Sequence, residues 1–369
     1  MYISNFRTPT QRRHRAIVSA LITAAALAIA PNTAASAEVG LNSNPIPGID
    51  ISSHQHPGEK NETLNWKSVG SDGQKFALIK ATESDSYENP HWKYDAEQAK
   101  ANGMKVGLYH FARVKQSAKS QADFFAKAVK TLGDDSLPPT LDIEIANDNA
   151  EDHNPLDAAG VQRWVKEFVT EVEALTGRTP MIYTYRYFWS EQMGDTTDFK
   201  DYPLWLAAYQ DEVPTELPGG WEYMTFWQRS DSGNVNGITG NTDMNLFTGS
   251  EAELDSLGTG NQVKLGKVLT PNFKASDALG SSNLGALSRN NGEIVGIILA
   301  LALGAVSIGA LNDAASSAGF DAGGTKTLAG EVQKQIDNKT LPVDDLKRMA
   351  DKNEYSIGDL IILLSNASK

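Results

Sequence analysis

The chain has 369 residues, no cysteine and a formal net charge of −13. The lack of cysteine excludes disulfide stapling and thiolate-bound metal, so stability has to come from a buried core. The acidic balance gives no electrostatic reason to bind nucleic acid or an anionic lipid surface, and leaves a neutral polymer or a substrate with its own positive groups.

Residues 1–37 read as a cleavable signal peptide. Arg12, Arg13 and Arg15 form a basic start, Ala16 to Ala30 is apolar, and Ala35-Ser36-Ala37 is a small-residue exit before Glu38. An uncleaved anchor is the alternative, and the small residues after Pro31 count against it. A secreted or cell-envelope location is therefore expected. The segment holds four arginines and no acid, so the remainder carries 29 basic and 46 acidic side chains, a net charge near −17.

From Gly48 to about Phe247, strand-like apolar runs end near Ile51, Lys80, Phe111, Glu144, Tyr185, Tyr209, Gln228 and Phe247. The first five ends lie 29, 31, 33 and 41 residues apart, enough for strand, crossover helix and next strand. The last three intervals shrink to 24, 19 and 19 residues, too tight for a full helical crossover. The pattern predicts an α/β fold over residues 38–250, a TIM-like barrel of eight strands whose final third has lost its helices. Val161, Trp164, Val165, Phe168, Val169, Val172 and Leu175 recur at the 3.6-residue period and stop at Gly177. Stretches from Pro90 to Asn102 and from Ser117 to Leu132 close at Gly103 and Gly133 in the same way.

Beyond the barrel, residues 251–292 are rich in Gly, Ser and Asn and read as a linker with room for a short helical piece. Residues 293–369 read as a small α-helical C-terminal module. Ile294 to Leu311 is uncharged and only marginally long enough to span a bilayer, and Asn312-Asp313 follows it in place of Lys or Arg. Membrane or envelope attachment through 294–311 is the less favoured reading. A buried helix is preferred, partnered by 328–336, 343–350 and 357–364. Neither an internal repeat nor an oligomeric state is read from the chain.

The chemistry concentrates in Pro138-Pro139-Thr140-Leu141-Asp142-Ile143-Glu144. Side chains alternate across a strand, so Asp142 and Glu144 face one way while Leu141 and Ile143 face the other. Paired acids cost Coulomb energy when both ionise, and they suit acid/base work on a glycosidic bond. A solvated acidic pair at a strand end is the plain alternative. Functional groups of a barrel collect at the C-terminal ends of its strands. There stand Asp50, Lys80 with Glu83, Tyr109, the Asp142/Glu144 pair, Tyr183, Trp205 with Tyr209, Gln228 and Asp243. Acids interleaved with aromatics fit a sugar: rings stack on pyranose C–H faces, while carboxylates and amides bind hydroxyls. His54 and His56 have no nearby His or Cys and read as a solvated loop, so no metal site is expected. His110 reads as a packed, hydrogen-bonded histidine, and Trp164 and Phe168 as core.

In order, Asp50-Ile51-Ser52 with Gln55, Lys80-Ala81-Thr82-Glu83, Gly107-Leu108-Tyr109-His110-Phe111, Leu141-Asp142-Ile143-Glu144, Trp205-Leu206-Ala207-Ala208-Tyr209, Trp227-Gln228 and Asp243-Met244-Asn245 resemble the family 25 glycoside hydrolases. These are bacterial and phage-type lysozymes that cleave peptidoglycan between N-acetylmuramic acid and N-acetylglucosamine. The resemblance covers roughly residues 46–250, with Ser84 in place of the family's usual Gly. It implies a (β/α)5(β)3 barrel, a peptidoglycan substrate and no cofactor. By resemblance Glu144 is the general acid. Asp142 assists it, through its charge or by orienting the substrate's 2-acetamido group. Asp50 and Asp243 line the opposite flank, to stabilise oxocarbenium-like charge or activate water. Tyr109, Tyr183, Trp205 and Tyr209 are the implied sugar platforms, with Gln228, Lys80 and Glu83 as further substrate-binding groups. Two other readings use the same cleft: a wall-binding module without turnover, and a hydrolase of another N-acetylated polysaccharide such as chitin.

Overall fold

The computed structural model describes residues 45–56, 64–145, 156–259, 292–320, 322–352 and 354–367. The expected signal peptide and most of the expected linker lie outside these residues.

The barrel elements run β1 (Ile46–Ile51), a 3-10 turn (Ser53–Gln55), α1 (Trp66–Ser71), β2 (Phe76–Glu83), β3 (Tyr87–Glu88), α2 (Trp92–Ala101), β4 (Lys105–Phe111) and α3 (Ala118–Leu132). Next come β5 (Thr140–Asp142), α4 (Ala158–Thr176), β6 (Met181–Tyr185), α5 (Arg186–Gln192), β7 (Leu204–Ala207), β8 (Phe226–Gly233), β9 (Thr242–Phe247) and α6 (Glu251–Leu257). β1 pairs in parallel with β2, and parallel pairing continues through β4, β5, β6, β7 and β8. β9 is antiparallel to both β8 and β1 and closes the sheet. β3 is a two-residue flap on β2. Helices follow each of the first five barrel strands and are missing between the last three, as the shrinking intervals require, and α6 follows once the barrel has closed.

Packing follows from the sequence pattern. α4 buries Val161, Trp164, Val165, Phe168, Val169 and Val172 on its barrel face. Burying a side chain of this size contributes roughly 1.5–3 kcal/mol, the source of most of the helix's stability. Its start is fixed by Asp157, whose carboxylate accepts the Gly160 N–H at 2.7 Å. Inside the barrel, the Phe226 ring meets Phe76 and Phe247 at centroid distances of 4.9 and 5.1 Å. These rings fill the level of the N-terminal strand ends and leave the polar chemistry to the opposite rim.

The short helical piece for which the 251–292 stretch had room is α6. Ser250 and Glu253 form a capping box that starts α6, Leu254 and Leu257 are buried, and Asp255 pairs with Lys105 at 3.2 Å.

The C-terminal helices are α7 (Gly292–Ala302), α8 (Ile308–Ser317), α9 (Ala322–Asn338), α10 (Val343–Lys352) and α11 (Ile357–Asn366). The apolar run 294–311 is thus two helices rather than one. Gly304 takes φ +71°, a left-handed conformation open to glycine, and Leu303 beside it is 85 % exposed. No described helix is long and apolar enough to cross a membrane. α7 packs on α8 and α10, α8 on α9, α9 on α11, and α11 on α5 of the barrel.

Candidate active site

The strand register brings the predicted acids toward one rim. Asp50 and Asp243 are directly opposed on the antiparallel β1/β9 pair, so their side chains share a face. Asp142 is in register with Phe111 of β4 and Tyr183 of β6. Glu144 stands two residues past it, just beyond the end of β5, where the Ile143 N–H still donates to the Tyr183 carbonyl at 3.0 Å. Asp50, Asp142 and Glu144 are buried, with 4 %, 5 % and 3 % exposure.

The tyrosines report the common field. Burial pushes the Tyr109 phenol well above its ordinary pKa, and the charges of Asp50, Asp142, Asp243 and Glu144 push it further. Tyr183 is raised likewise, by burial first and then by Glu144, Tyr209, Asp142 and Asp50. Tyr209 is raised by burial and then by Asp231, Asp243, Glu144 and Asp50. All three phenols therefore stay protonated as hydrogen-bond donors across the physiological range.

A chain of polar groups fixes Asp50. The Tyr183 and Tyr209 hydroxyls donate to Gln228 Oε1 at 2.8 and 3.1 Å. Gln228 Nε2 donates to Asp50 Oδ2 at 2.9 Å, and Asn245 Nδ2 donates to the same oxygen at 2.7 Å. Trp205 Nε1 in turn donates to Asn245 Oδ1 at 2.8 Å. Trp205 also meets Tyr183 edge-on at 4.5 Å and Tyr109 at 6.0 Å. Asn245 is a member that sequence reasoning left out of the site. Its signal was present, since Asp243 and Asn245 are two apart on one strand.

Lys80 and Glu83 occupy a separate part of the rim. Lys80 Nζ meets Glu83 Oε2 at 2.5 Å, and Arg113 donates to Glu83 Oε1 through Nε at 2.9 Å and Nη2 at 2.6 Å. Both cations lie over the Phe111 ring, at 4.4 and 4.8 Å. Burial alone would raise the Glu83 carboxyl, yet Lys80 and Arg113 outweigh it and hold it below the usual carboxylate range. Among its described contacts this triad is internally paired, and Arg113 is the member that the motifs did not single out.

His56 is not on a solvated loop. It is 8 % exposed, its Nε2 lies 2.9 Å from the Asp95 carboxylate, and its ring stacks on His91 at 3.9 Å. Trp66 Nε1 donates to the other Asp95 oxygen at 3.1 Å. The partner is 39 residues away, out of reach of a local reading. His54 is exposed. No group of three or more His, Cys, Asp or Glu suited to a metal ion occurs among the described residues. Trp221 is buried, and its indole N–H donates to the Tyr202 carbonyl at 2.9 Å. His110, Trp164 and Phe168 are buried as expected.

An enclosure of four acids with aromatic walls suits a neutral substrate that gains positive charge as it reacts. Comparison with known proteins agrees. The sequence model for Glycosyl hydrolases family 25 matches residues 49–238. Lysozyme M1 of Streptomyces globisporus is 35% identical over 223 residues, spanning 58% of this chain and 71% of that relative. The N,O-diacetylmuramidase of a Chalaropsis species is 37% identical over 226 residues, spanning 58% of this chain and 100% of that relative, so the rest of this chain has no counterpart there. The crystal structure of the bacterial lysozyme from Streptomyces coelicolor superposes with a TM-score of 0.52 at 33% identity, covering 59% of this chain and 99% of that one. The chain belongs to glycosyl hydrolases family 25.

Proposed function

We propose that the chain is an exported muramidase that cleaves the β-1,4 bond between N-acetylmuramic acid and N-acetylglucosamine in peptidoglycan. The observation that carries this reading is the meeting of Asp50, Asp142, Glu144 and Asp243 around the Tyr109 phenol. Glu144 protonates the leaving glycosidic oxygen. Asp142 stands beside it and orients the 2-acetamido group, whose oxygen attacks the anomeric carbon as the bond breaks. Asp50 and Asp243, on the opposite flank, stabilise the oxocarbenium-like charge, and one of them activates the incoming water. Tyr109, Tyr183, Trp205 and Tyr209 provide apolar faces for the sugar rings. Export follows from the N-terminal segment and matches a substrate outside the cytoplasm.

Purified cell walls incubated with the full chain should release reducing ends that mass spectrometry identifies as muramic acid. New ends consisting of N-acetylglucosamine would refute the bond specificity. Glu144→Gln should lower the rate by about 10²–10⁴-fold with an unchanged melting temperature, the range expected for losing a general acid. Near-normal lysis by that variant would refute its role.

A further inference from the structure

The most unexpected partner of Glu144 comes from the far end of the chain. Asn366, in the last turn of α11, donates its side-chain amide to Glu144 Oε2 at 3.1 Å, across 222 residues of sequence. At its other end, α11 rests on the backbone of Tyr209. A methyl group on Gly358 would come within 2.5 Å of the Tyr209 carbonyl oxygen, so glycine is what allows this approach. α11 therefore touches a groove residue and the paired acid from opposite ends.

Its surroundings match a helix enclosed on two sides. Ile357, Gly358, Asp359, Leu360, Ile362, Leu363, Leu364 and Asn366 are all buried, more than one face of a ten-residue helix. α9 covers one side, with Gln335 Nε2 donating to the Leu364 carbonyl at 2.5 Å. The barrel covers another through α5 and the strand ends. Around the rim, the Tyr187 hydroxyl donates to Asp345 Oδ1 at 2.8 Å and Arg186 Nη1 to the Glu354 carbonyl at 3.2 Å. Lys352 Nζ meets Glu191 at 2.5 Å, and the Tyr355 hydroxyl donates to the same carboxylate.

We propose that the C-terminal helical module keeps the enzyme latent, with α11 lying in the glycan groove and Asn366 occupying Glu144. This rests on the reading of Glu144 as the acid of a glycan cleft. A helix with its side chains is about 10–12 Å across, so α11 and a sugar chain cannot hold the groove together. Glycan binds only the fraction of molecules in which α11 has left, and apparent affinity falls in proportion to that fraction. The helix C-terminus carries partial negative charge and is directed at a cluster of acids. Docking is thus held by apolar burial and rim contacts against an unfavourable field, as a reversible latch requires.

The test uses the full chain, Gly358→Leu to displace α11 from Tyr209, and Asn366→Asp to set a carboxylate against Glu144. Amide exchange across 357–366 reports whether the helix has left, and a melting curve reports whether the barrel is intact. Binding of an N-acetylglucosamine tetramer and reducing-end release from purified walls are then measured. We expect faster exchange in both variants, with tetramer affinity and wall hydrolysis each rising on the order of tenfold or more. Equal tetramer binding by full chain and freed variants, including none in any of them, overturns the latency. Tetramer binding that appears on release without hydrolysis upholds the latency and refutes the muramidase reading instead. Should Gly358→Leu fail to fold, Asn366→Asp decides, because it adds no bulk against Tyr209.

Discussion

At the scale of single residues, the site is governed by which side chains have their polar needs met by neighbours. Asn245 both donates to Asp50 and accepts from Trp205, so Asn245→Ala loosens one and orphans a buried indole N–H. A cost of about 1–3 kcal/mol in denaturant unfolding is expected from the orphaned donor, together with a lower kcat. Unchanged kcat would show that the placing of Asp50 does not matter to turnover. His110 tests burial more directly. It is fully buried, with Thr82 Oγ1 2.8 Å from Nδ1 and Gln121 Oε1 2.9 Å from Nε2. Burial lowers its pKa to about 4. An unfolded histidine titrates near 6.5, so between these values the unfolded chain holds more protons. Stability is then complete above about pH 6.5 and falls as pH drops toward 4, by up to roughly 3 kcal/mol. His110→Gln should flatten that slope in unfolding titrations without changing stability's sign of response elsewhere, and a slope identical to the parent would refute the assignment. The reading of His110 as packed was available from sequence because it alternates with the rim residue Tyr109. His56 was misread because Asp95 is brought to it only by the fold.

Among the elements, legibility tracks how local the cause is. The strand ends and the helices after β2, β4 and β5 follow from apolar periodicity and turn residues, causes contained within a dozen neighbours. The intervals between them showed a barrel whose final third lacks helices, while the (β/α)5(β)3 pattern itself came from the family resemblance. The run 294–311 was harder, because its apolar residues are continuous across two helices. The break was encoded in Gly304 and in Ser307 at the cap position of α8, yet hydropathy outweighed those small signals. Caps offer a clean check on this local level. Asp157→Ala removes the acceptor of the Gly160 N–H, and about 1 kcal/mol of stability should go with it. Wall hydrolysis per folded molecule should stay the same, since α4 lies in the outer layer. A loss above about 2 kcal/mol would exceed the usual value of a cap and show that Asp157 does more than start the helix.

For the whole molecule, the relation of the C-terminal helices to the barrel was invisible in the sequence. An apolar helix states that it will be buried but not against what, and Asn366 carries no local mark of a partner 222 residues away. The rim contacts should therefore control how often α11 leaves. Glu191 is the natural lever: it is only 8 % exposed, lies on α5 and receives both Lys352 and Tyr355. Glu191→Gln keeps the shape and a hydrogen-bond acceptor but removes the charge opposite Lys352. Because that lysine is half exposed, solvent screens much of the pair, and the expected gain in amide exchange across 343–366 is only a few-fold, well below that from Gly358→Leu. The barrel's own protected amides should not change, since no strand contact is lost. Exchange that rises equally in barrel and module would mean the two unfold as one cooperative body, with no latch between them. A rise confined to 343–366, with a parallel rise in tetramer affinity, would place the control of access at this rim and not in the acids themselves.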